Sequence, residues 1–401
     1  MVDIGFASDW RDPSRREVSS GTRNGGRARP RIVLLFGMGA LLAGAVLGAA
    51  LPLAAFAASP PDPFVALGKS YNDMGQYDRA IKVFDQAIRL YPNDANALLN
   101  RANSYRGSGN PDLAIRDYDR SLAMDPLNHL AYIGRGKTYN DNGDYTRGLK
   151  DFDQAIKLNG LDANAYINRG NSYRGMGKLD LALEDYTHAI KLDPRDWVAC
   201  INRGKVYNDK GHYDRAIQDF DRAIKLNPKD ANAFLNRGIA HRGADRLEQA
   251  SKDYDQAIRL NPSDPVAFIS RGKVHNDKGQ YDSALQDFDR AIILNPKDVN
   301  ALLGRGNAYR GKNEPDLALH DYDRAITLDP ANSVAFIQRG NTYTDKRQYD
   351  LAINDFDQAI ALNPSDANAV RNRGDAYAAK GAEDRIIARN SDFFQQSQAP
   401  R

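Results

Sequence analysis

The chain has 401 residues, of which 55 are Lys or Arg and 52 are Asp or Glu, so its formal net charge is +3. Seven arginines and four acids lie in residues 1–57, which leaves 48 bases and 48 acids in the remainder. Because nucleic-acid recognition needs a basic face, this balance argues against a nucleic-acid partner. A single cysteine, Cys200, excludes an intramolecular disulfide.

The N-terminal segment divides into a polar leader and an apolar run. Residues 1–31 are rich in arginine and too poor in apolar side chains to fold alone, which predicts a basic disordered leader. Residues 32–57 carry no charge, and the run 32–51 is long enough to span a bilayer as one helix. The triplet Ala55-Phe56-Ala57 matches a signal-peptidase site. Segment 32–57 is therefore predicted to be an apolar helix, either a cleaved signal peptide or a transmembrane signal anchor.

Both interpretations place the rest of the chain beyond the membrane. The arginines precede the apolar run, and the first base after it is Lys69, so the positive-inside rule gives the orientation. We expect an extracytoplasmic (periplasmic) protein, soluble after cleavage near Ala57 or anchored in the inner membrane through residues 32–51. In a third interpretation, the apolar run is a mistranslated leader and the protein is a cytoplasmic adaptor.

From Pro61 onward the sequence repeats every 34 residues, with nine full units over 61–366 and a partial tenth over 367–390. With Pro61 as position 1, positions 8, 20 and 27 are small, and positions 11 and 24 are ring residues. Positions 4, 8 and 11 fall on one helical stripe, and 20, 24 and 27 on another. Each unit is therefore predicted to be two antiparallel helices joined near position 15. In the first unit the pattern reads Gly68, Tyr71, Gly75, Ala80, Phe84, Ala87 and Pro92.

This pattern resembles the tetratricopeptide repeat (TPR) family over residues 61–380. The resemblance implies an all-α fold, a right-handed superhelical solenoid of antiparallel helix hairpins, here preceded by the one N-terminal apolar helix. In such an array each hairpin buries its apolar stripe against its neighbours. The resemblance also implies that the first helices line a concave groove, in which a protein or an extended peptide binds.

The units alternate with a period of 68 residues. Odd units have Asn-Asp at positions 12–13, with Thr344-Asp345 as a variant in the ninth, and Phe at position 24, whereas the full even units have Arg-Gly and Tyr. Duplication of a pair of units explains the alternation, and a ligand that meets alternating Asp and Arg along one line is the other interpretation. The residues that would serve such a ligand are Arg106, Arg174, Arg242, Arg310, Asp141 and Asp209.

In TPR proteins, positions 2, 5, 6, 9, 12 and 13 of the first helix commonly face the groove. Carried to this chain, positions 6 and 9 give Asn100, Asn168, Asn202, Asn236, Lys137, Asn171 and Lys205. Because an amide offers both a donor and an acceptor, a row of asparagines is suited to holding a peptide backbone, unless the row is only a solvated face. Position 5 is aliphatic, so the family's Lys–Asn–Lys/Arg clamp for acidic C-terminal motifs is not reproduced.

Positions 7 and 23 vary together. They are Leu67 and Val83 in the first unit but Arg and Asp in units two to nine. In an antiparallel hairpin that turns near position 15 these positions lie opposite each other, which predicts a structural ion pair in each unit. The first four predicted pairs are Arg101–Asp117, Arg135–Asp151, Arg169–Asp185 and Arg203–Asp219.

The residues of enzyme and cofactor sites are missing from the pattern. No His or Cys has metal-ligand spacing, no glycine-rich phosphate loop opens a helix, and the acids lie at repeat-fixed offsets. We therefore expect no enzyme, no metal, no cofactor and no small-molecule substrate. At the C-terminus, the polar residues 383–390 predict a capping helix, and residues 391–401 a disordered tail.

The sequence thus predicts a non-enzymatic protein-protein interaction scaffold, exported or membrane-anchored, that binds its partner in the concave groove. A structural component of an envelope or polysaccharide-export assembly, acting through its outer surface, is the first alternative. The cytoplasmic TPR adaptor is the second.

Overall fold

The computed structural model describes residues 63–397, which form nineteen helices in the order that the 34-residue pattern predicts. The predicted leader 1–31 and the apolar segment 32–57 lie outside the described residues, so neither the N-terminal apolar helix nor its alternatives are tested. Within 63–397, no helix combines the length and the apolar character needed to cross a membrane. The described residues are an all-α array of helix hairpins.

Each unit contributes a first and a second helix. The first helices are α1 Pro63–Asp73, α3 Ala95–Gly107, α5 His129–Asp141, α7 Ala163–Gly175, α9 Trp197–Asp209, α11 Ala231–Gly243, α13 Pro265–Asp277, α15 Val299–Gly311, α17 Ser333–Asp345 and α19 Ala367–Ser397. The second helices are α2 Tyr77–Leu90, α4 Pro111–Met124, α6 Tyr145–Leu158, α8 Leu179–Leu192, α10 Tyr213–Leu226, α12 Leu247–Leu260, α14 Tyr281–Leu294, α16 Pro315–Leu328 and α18 Tyr349–Leu362.

Acidic side chains fix where the helices begin. Position 34 precedes each first helix, and its side chain accepts hydrogen bonds from the free N–H groups of the first turn, as Asp94 does from the backbone of Asn96 (2.8 Å) and Ala97 (3.1 Å). Position 18 places an acid in the first turn of most second helices, for example Asp214 in α10, where the helix dipole favours negative charge.

The turn inside each hairpin requires a left-handed residue at position 15. Six units have glycine there, with φ between 69° and 78°. Asp245, Asn313 and Arg347 occupy the same position in the other three full units, with φ of 59° to 61°. Because a side chain in this region costs about 1–2 kcal/mol, packing of the flanking helices holds these three turns in place.

Small and aromatic residues fill the space between helices, as the stripes predict. Ala216, Phe220 and Ala223 on α10 are completely buried. The glycine at position 8 lets the facing helix approach, since a Cβ added at Gly204 would lie only 2.8 Å from the ring of Phe220. Cys200 is also buried, and desolvation raises the pKa of its thiol to about 11, which leaves it a packing residue.

Contacts between units differ on the two sides of the array. Each first helix contacts the next first helix as well as its own partner, as α1 does with α3 and α13 with α15. Among the described residues, no second helix has a close backbone contact with the next second helix. The first helices are therefore the inner row, which lines the groove, and the second helices are the outer row.

The array ends in one long helix. α19 runs without interruption from Ala367 to Ser397, through Gly381, where every full unit turns. It includes the capping helix predicted at residues 383–390. It also covers residues 391–397, for which the sequence predicts a disordered tail. The physical reason is that a second helix after Gly381 would lack the aromatic residue that packs against the inner row. Position 24, which is Phe or Tyr in every full unit, is Asn390 in this one.

Candidate functional site

The arginines at position 7 cross each hairpin to a buried aspartate. In units two to nine, Nε and Nη2 of the arginine donate to the two carboxylate oxygens of the aspartate at position 23, over 2.5 to 2.9 Å. This fork geometry is the strongest form of the ion pair. The pairs are Arg101–Asp117, Arg135–Asp151, Arg169–Asp185, Arg203–Asp219, Arg237–Asp253, Arg271–Asp287, Arg305–Asp321 and Arg339–Asp355.

Burial of these carboxylates has an electrostatic cost. Desolvation raises the pKa of Asp151, Asp185 and Asp355, and the partner arginine only partly opposes it. The arginine pKa values rise in turn, since hydrogen bonds to the carboxylates outweigh burial. Each of these arginines therefore stays charged.

The same arginine also contacts the preceding unit. Its Nη1 donates to the exposed aspartate at position 25 of the outer row, as Arg135 does to Asp119 over 2.6 Å. Sequence reasoning missed this second contact, because it depends on the stagger between units. We call the whole series, with both carboxylates of each arginine, the Arg–Asp ladder. It joins each hairpin to the one before it.

A first type of junction links the first, third, fifth and seventh units to the unit that follows each of them. Nδ2 of Asn72 donates to the backbone oxygen of Asn100 over 3.3 Å, and Ser104 Oγ donates to Asn72 Oδ1 over 2.7 Å. The ring of Tyr77, at position 17, lies where a Cβ on Gly107 would be. These contacts repeat in the next pair of units around Asn140, Ser172 and Tyr145.

A second type of junction links each even unit to the odd unit that follows. Arginine at position 12 forms an ion pair with aspartate at position 13 of the next first helix. The four pairs are Arg106–Asp141, Arg174–Asp209, Arg242–Asp277 and Arg310–Asp345. The charges predicted to meet a ligand therefore contact each other, and the alternation supplies two kinds of contact between repeats.

The Tyr-for-Phe change at position 24 belongs to the same alternation. In three even units the hydroxyl donates to the asparagine at position 9: Tyr118 to Asn103 Oδ1 over 2.6 Å, and Tyr186 to Asn171 and Tyr322 to Asn307 over 2.7 Å. In the sixth unit position 9 is Ile239, so Tyr254 has no asparagine there. Burial raises the pKa of Tyr118 to about 12, so the phenol stays protonated and able to donate.

The predicted row of asparagines is engaged within the array. Asn100, Asn168 and Asn236 each donate Nδ2 to the backbone oxygen four residues earlier over 2.7 Å. Asn202 donates to Asn171 over 3.4 Å, and Asn171 also accepts from Tyr186. Because these amides already make intramolecular hydrogen bonds, they are weak candidates for holding a peptide backbone.

A cavity opens on the inner row across the first three units. Its volume is about 300 Å³, and its walls combine apolar, amide and basic groups. Apart from Asn128, at position 34, the lining comes from the positions that the family resemblance assigns to the groove: Lys69, Asn96, Leu99, Asn100, Asn103, Arg106, Leu130, Ile133, Gly134 and Lys137. The structure therefore brings the predicted Lys137, Asn100 and Arg106 together.

Odd units present a distinct surface to the groove. Position 2 is an exposed aliphatic residue in four of them, Leu130, Val198, Val266 and Val334, where even units have asparagine. Position 5 is a buried aliphatic residue and position 9 is lysine in the three middle odd units. We call positions 2, 5 and 9 of these units the odd-unit strip, for example Val198, Ile201 and Lys205 in α9. Sequence reasoning missed these exposed aliphatic residues, because it considered only the asparagines of the groove-facing positions.

The lysines of the strip are partly desolvated. Lys205 is half-buried, and burial together with the charge of Arg174 lowers its pKa to about 8, against a smaller opposing effect of Asp230 and Asp209. Burial and Arg242 likewise lower the pKa of Lys273. Within 63–397, no ion pair joins Lys205 or Lys273 to an acid, whereas the neighbouring Arg–Asp charges are paired.

Family comparison identifies the repeats. Models of the tetratricopeptide repeat match most of the array, at residues 65–129, 99–163, 163–196, 204–243, 231–264, 269–333 and 340–381. No curated protein matches the chain.

Two solved structures share the fold. The APC/C hetero-tetramer Cut9–Hcn1 is 16% identical over 78% of this chain and 75% of that chain, with a TM-score of 0.56. A tetratricopeptide repeat protein from Parabacteroides merdae is 21% identical over 62% of this chain and 98% of that chain, with a TM-score of 0.53. The chain therefore belongs to the tetratricopeptide repeat family and is a non-enzymatic protein-interaction scaffold.

Proposed function

We propose that the scaffold binds an extended acidic segment of a protein partner along the inner row, with the odd-unit strip as the principal contact. The observation that carries this proposal is the state of the strip's lysines. Lys205 and Lys273 are desolvated cations beside the ion pairs Arg174–Asp209 and Arg242–Asp277, whose charges are already matched. Burial deprives these ammonium groups of the water that stabilises their charge. A carboxylate from a partner would stabilise that charge instead.

The strip also favours a partner with apolar side chains beside its acids. Val198 and Val266 are each more than two-fifths exposed, next to the buried Ile201 and Ile269. An extended segment that covers them would remove apolar surface from water at about 25 cal/mol per Å². Because the strip recurs every 68 residues, the third, fifth and seventh units present the same chemistry.

Charge removal at the strip tests the proposal. The probes are two fluorescent peptides, one of alternating Glu and Leu and one of alternating Gln and Leu, whose binding to the full chain is followed by anisotropy. We expect K205M/K273M to weaken binding of the Glu peptide by about tenfold or more, equivalent to about 1.4 kcal/mol. The matched control, K157M/K225M, removes two exposed lysines of the outer row and leaves affinity unchanged.

The same assay has a pH signature. The Glu peptide binds the protonated ammonium, so its affinity falls as pH rises through about 8, where Lys205 loses its proton. K205M/K273M loses this dependence, and the Gln peptide shows neither effect. Equal weakening by the outer-row control would contradict groove binding and favour recognition through the outer surface, as in the envelope-assembly alternative.

We further propose that the array acts outside the cytoplasm, exported or tethered by its N-terminal segment. The support is in the sequence: residues 32–58 are uncharged and follow seven arginines. The intact mass of the native protein, taken from separated soluble and membrane fractions, tests this. We expect either a soluble species that begins near Ala58 or a full-length species in the membrane. A full-length soluble species would instead support the cytoplasmic adaptor.

A further inference from the structure

One rung of the Arg–Asp ladder lacks its exposed carboxylate. Position 25 is aspartate in eight of the nine full units and threonine, Thr187, in the fourth. The eight aspartates accept from Nη1 of the arginine in the next unit over 2.6 to 2.8 Å: Asp85, Asp119, Asp153, Asp221, Asp255, Asp289, Asp323 and Asp357. In the fourth rung Arg203 Nη1 instead donates to the hydroxyl of Thr187 over 3.2 Å.

The electrostatic consequence falls on Arg203. Its Nε and Nη2 bind Asp219 as in the other rungs, but the neutral hydroxyl replaces the second carboxylate. Arg203 therefore contacts one carboxylate instead of two. A hydroxyl can also donate its own hydrogen to an incoming anion, which the aspartates of the other rungs cannot.

The position of the missing carboxylate is reachable from solvent. In the other rungs the aspartate at position 25 is 39% to 58% exposed, so this end of the rung faces outward. At the fourth rung a depression of about 360 Å³ runs along α8, and Thr187 is part of its lining. The other lining residues are Leu183, Glu184, His188 and Lys191.

We propose that this place, between Thr187 and Arg203, binds one carboxylate group carried by an acidic side chain of a protein partner. The array supplies eight examples of the geometry, each with a carboxylate in this position. A group with a single negative charge fits better than a dianionic phosphate, because Glu184 lines the depression and Asp219 already binds Arg203. Leu183 offers apolar surface beside the anion, and the ring of His188 is packed against Tyr166 at 4.3 Å between centroids. The site opens beside α8 of the outer row, with Arg203 reaching it from α9, and it is separate from the cavity on the inner row.

The probe is sodium acetate, added to the full chain at constant ionic strength, and the readout is the Nε–Hε NMR signal of each ladder arginine. We expect a saturable shift at Arg203 that is absent at Arg237, whose carboxylates Asp253 and Asp221 are both in place. T187D supplies a carboxylate from the chain itself at this position, so it abolishes the acetate-dependent shift. E184Q removes the opposing charge and lowers the acetate concentration at half-saturation.

A transplant gives the matched control. D221T copies the broken rung to the next junction, so Arg237 should acquire the response of Arg203. Equal acetate responses at Arg203 and Arg237 in the wild-type chain would overturn the proposal, as would a response at Arg203 that survives T187D. Titration with inorganic phosphate separates the two anion classes: saturation by phosphate but not by acetate would also overturn it.

Discussion

Replacement of Asp355 by alanine is expected to destabilise the array by about 3–5 kcal/mol, whereas the same replacement of Asp323 costs less than about 1 kcal/mol. Both carboxylates contact one arginine, Arg339, at 2.7 Å and 2.6 Å. The difference comes from burial, since the Asp355 side chain is 2% exposed and that of Asp323 is 56% exposed. Loss of Asp355 leaves a guanidinium without its buried counter-charge, whereas loss of Asp323 opens a site to water.

The large effect of the single variant does not mean that the pair itself is strongly stabilising. Burial raises the pKa of Asp355 even with Arg339 beside it, so desolvation exceeds the attraction. The first unit shows an apolar replacement, with leucine and valine at positions 7 and 23. We therefore expect R339L/D355V to recover most of the stability that D355A loses.

Stability in this comparison is measured by urea unfolding together with hydrogen exchange. Because repeat arrays are stabilised by contacts between neighbours, exchange in α17 and α18 localises the effect even where unfolding is not two-state. Equal losses for D355A and D323A would show that burial does not distinguish the two carboxylates. A double variant as unstable as D355A would show that the ion pair makes a net contribution that apolar packing cannot replace.

How far the sequence predicted this molecule depends on which contacts are considered. Contacts within a hairpin depend only on the helical period and on where the chain turns between its two helices. The Arg–Asp pair across positions 7 and 23 could therefore be predicted from spacing alone. Contacts between hairpins depend on the stagger and rotation of neighbouring units, which a 34-residue period does not specify. The contact of Arg135 with Asp119 and the pair Arg174–Asp209 were missed for this reason.

The candidate site shows the same limit. The family resemblance assigns Lys137 and Asn100 to the groove, and both residues line one cavity on the inner row. It did not show that Asn100 donates to its own helix, because amide orientation depends on the nearest carbonyl rather than on repeat position. The alternation of aliphatic residues and asparagine at position 2 can be read from the sequence. That Val198 and Val266 are exposed beside buried residues is seen only in the structure.

Replacement of Gly311 by alanine tests whether the 68-residue period is a set of contacts or only a record of duplication. A Cβ at Gly311 would overlap the ring of Tyr281 in the preceding unit, so we expect G311A to cost about 1–3 kcal/mol through overpacking. The sequence itself suggests the rescue. Where position 17 is Leu179, the next unit has a side chain at position 13, Asp209.

The variant Y281L should therefore restore most of the stability lost in G311A, measured by urea unfolding and by hydrogen exchange in α14 and α15. The control is G374A on α19, where an added Cβ has no atom within 4 Å. Relief of the glycine penalty in a helix should there stabilise by about 0.5–1 kcal/mol. If G311A is as well tolerated as G374A, Tyr281 does not explain why position 13 is glycine in the second, fourth, sixth and eighth units. Rescue by Y281L would show that positions 13 and 17 are constrained together, so that two units, not one, form the repeating element of this array.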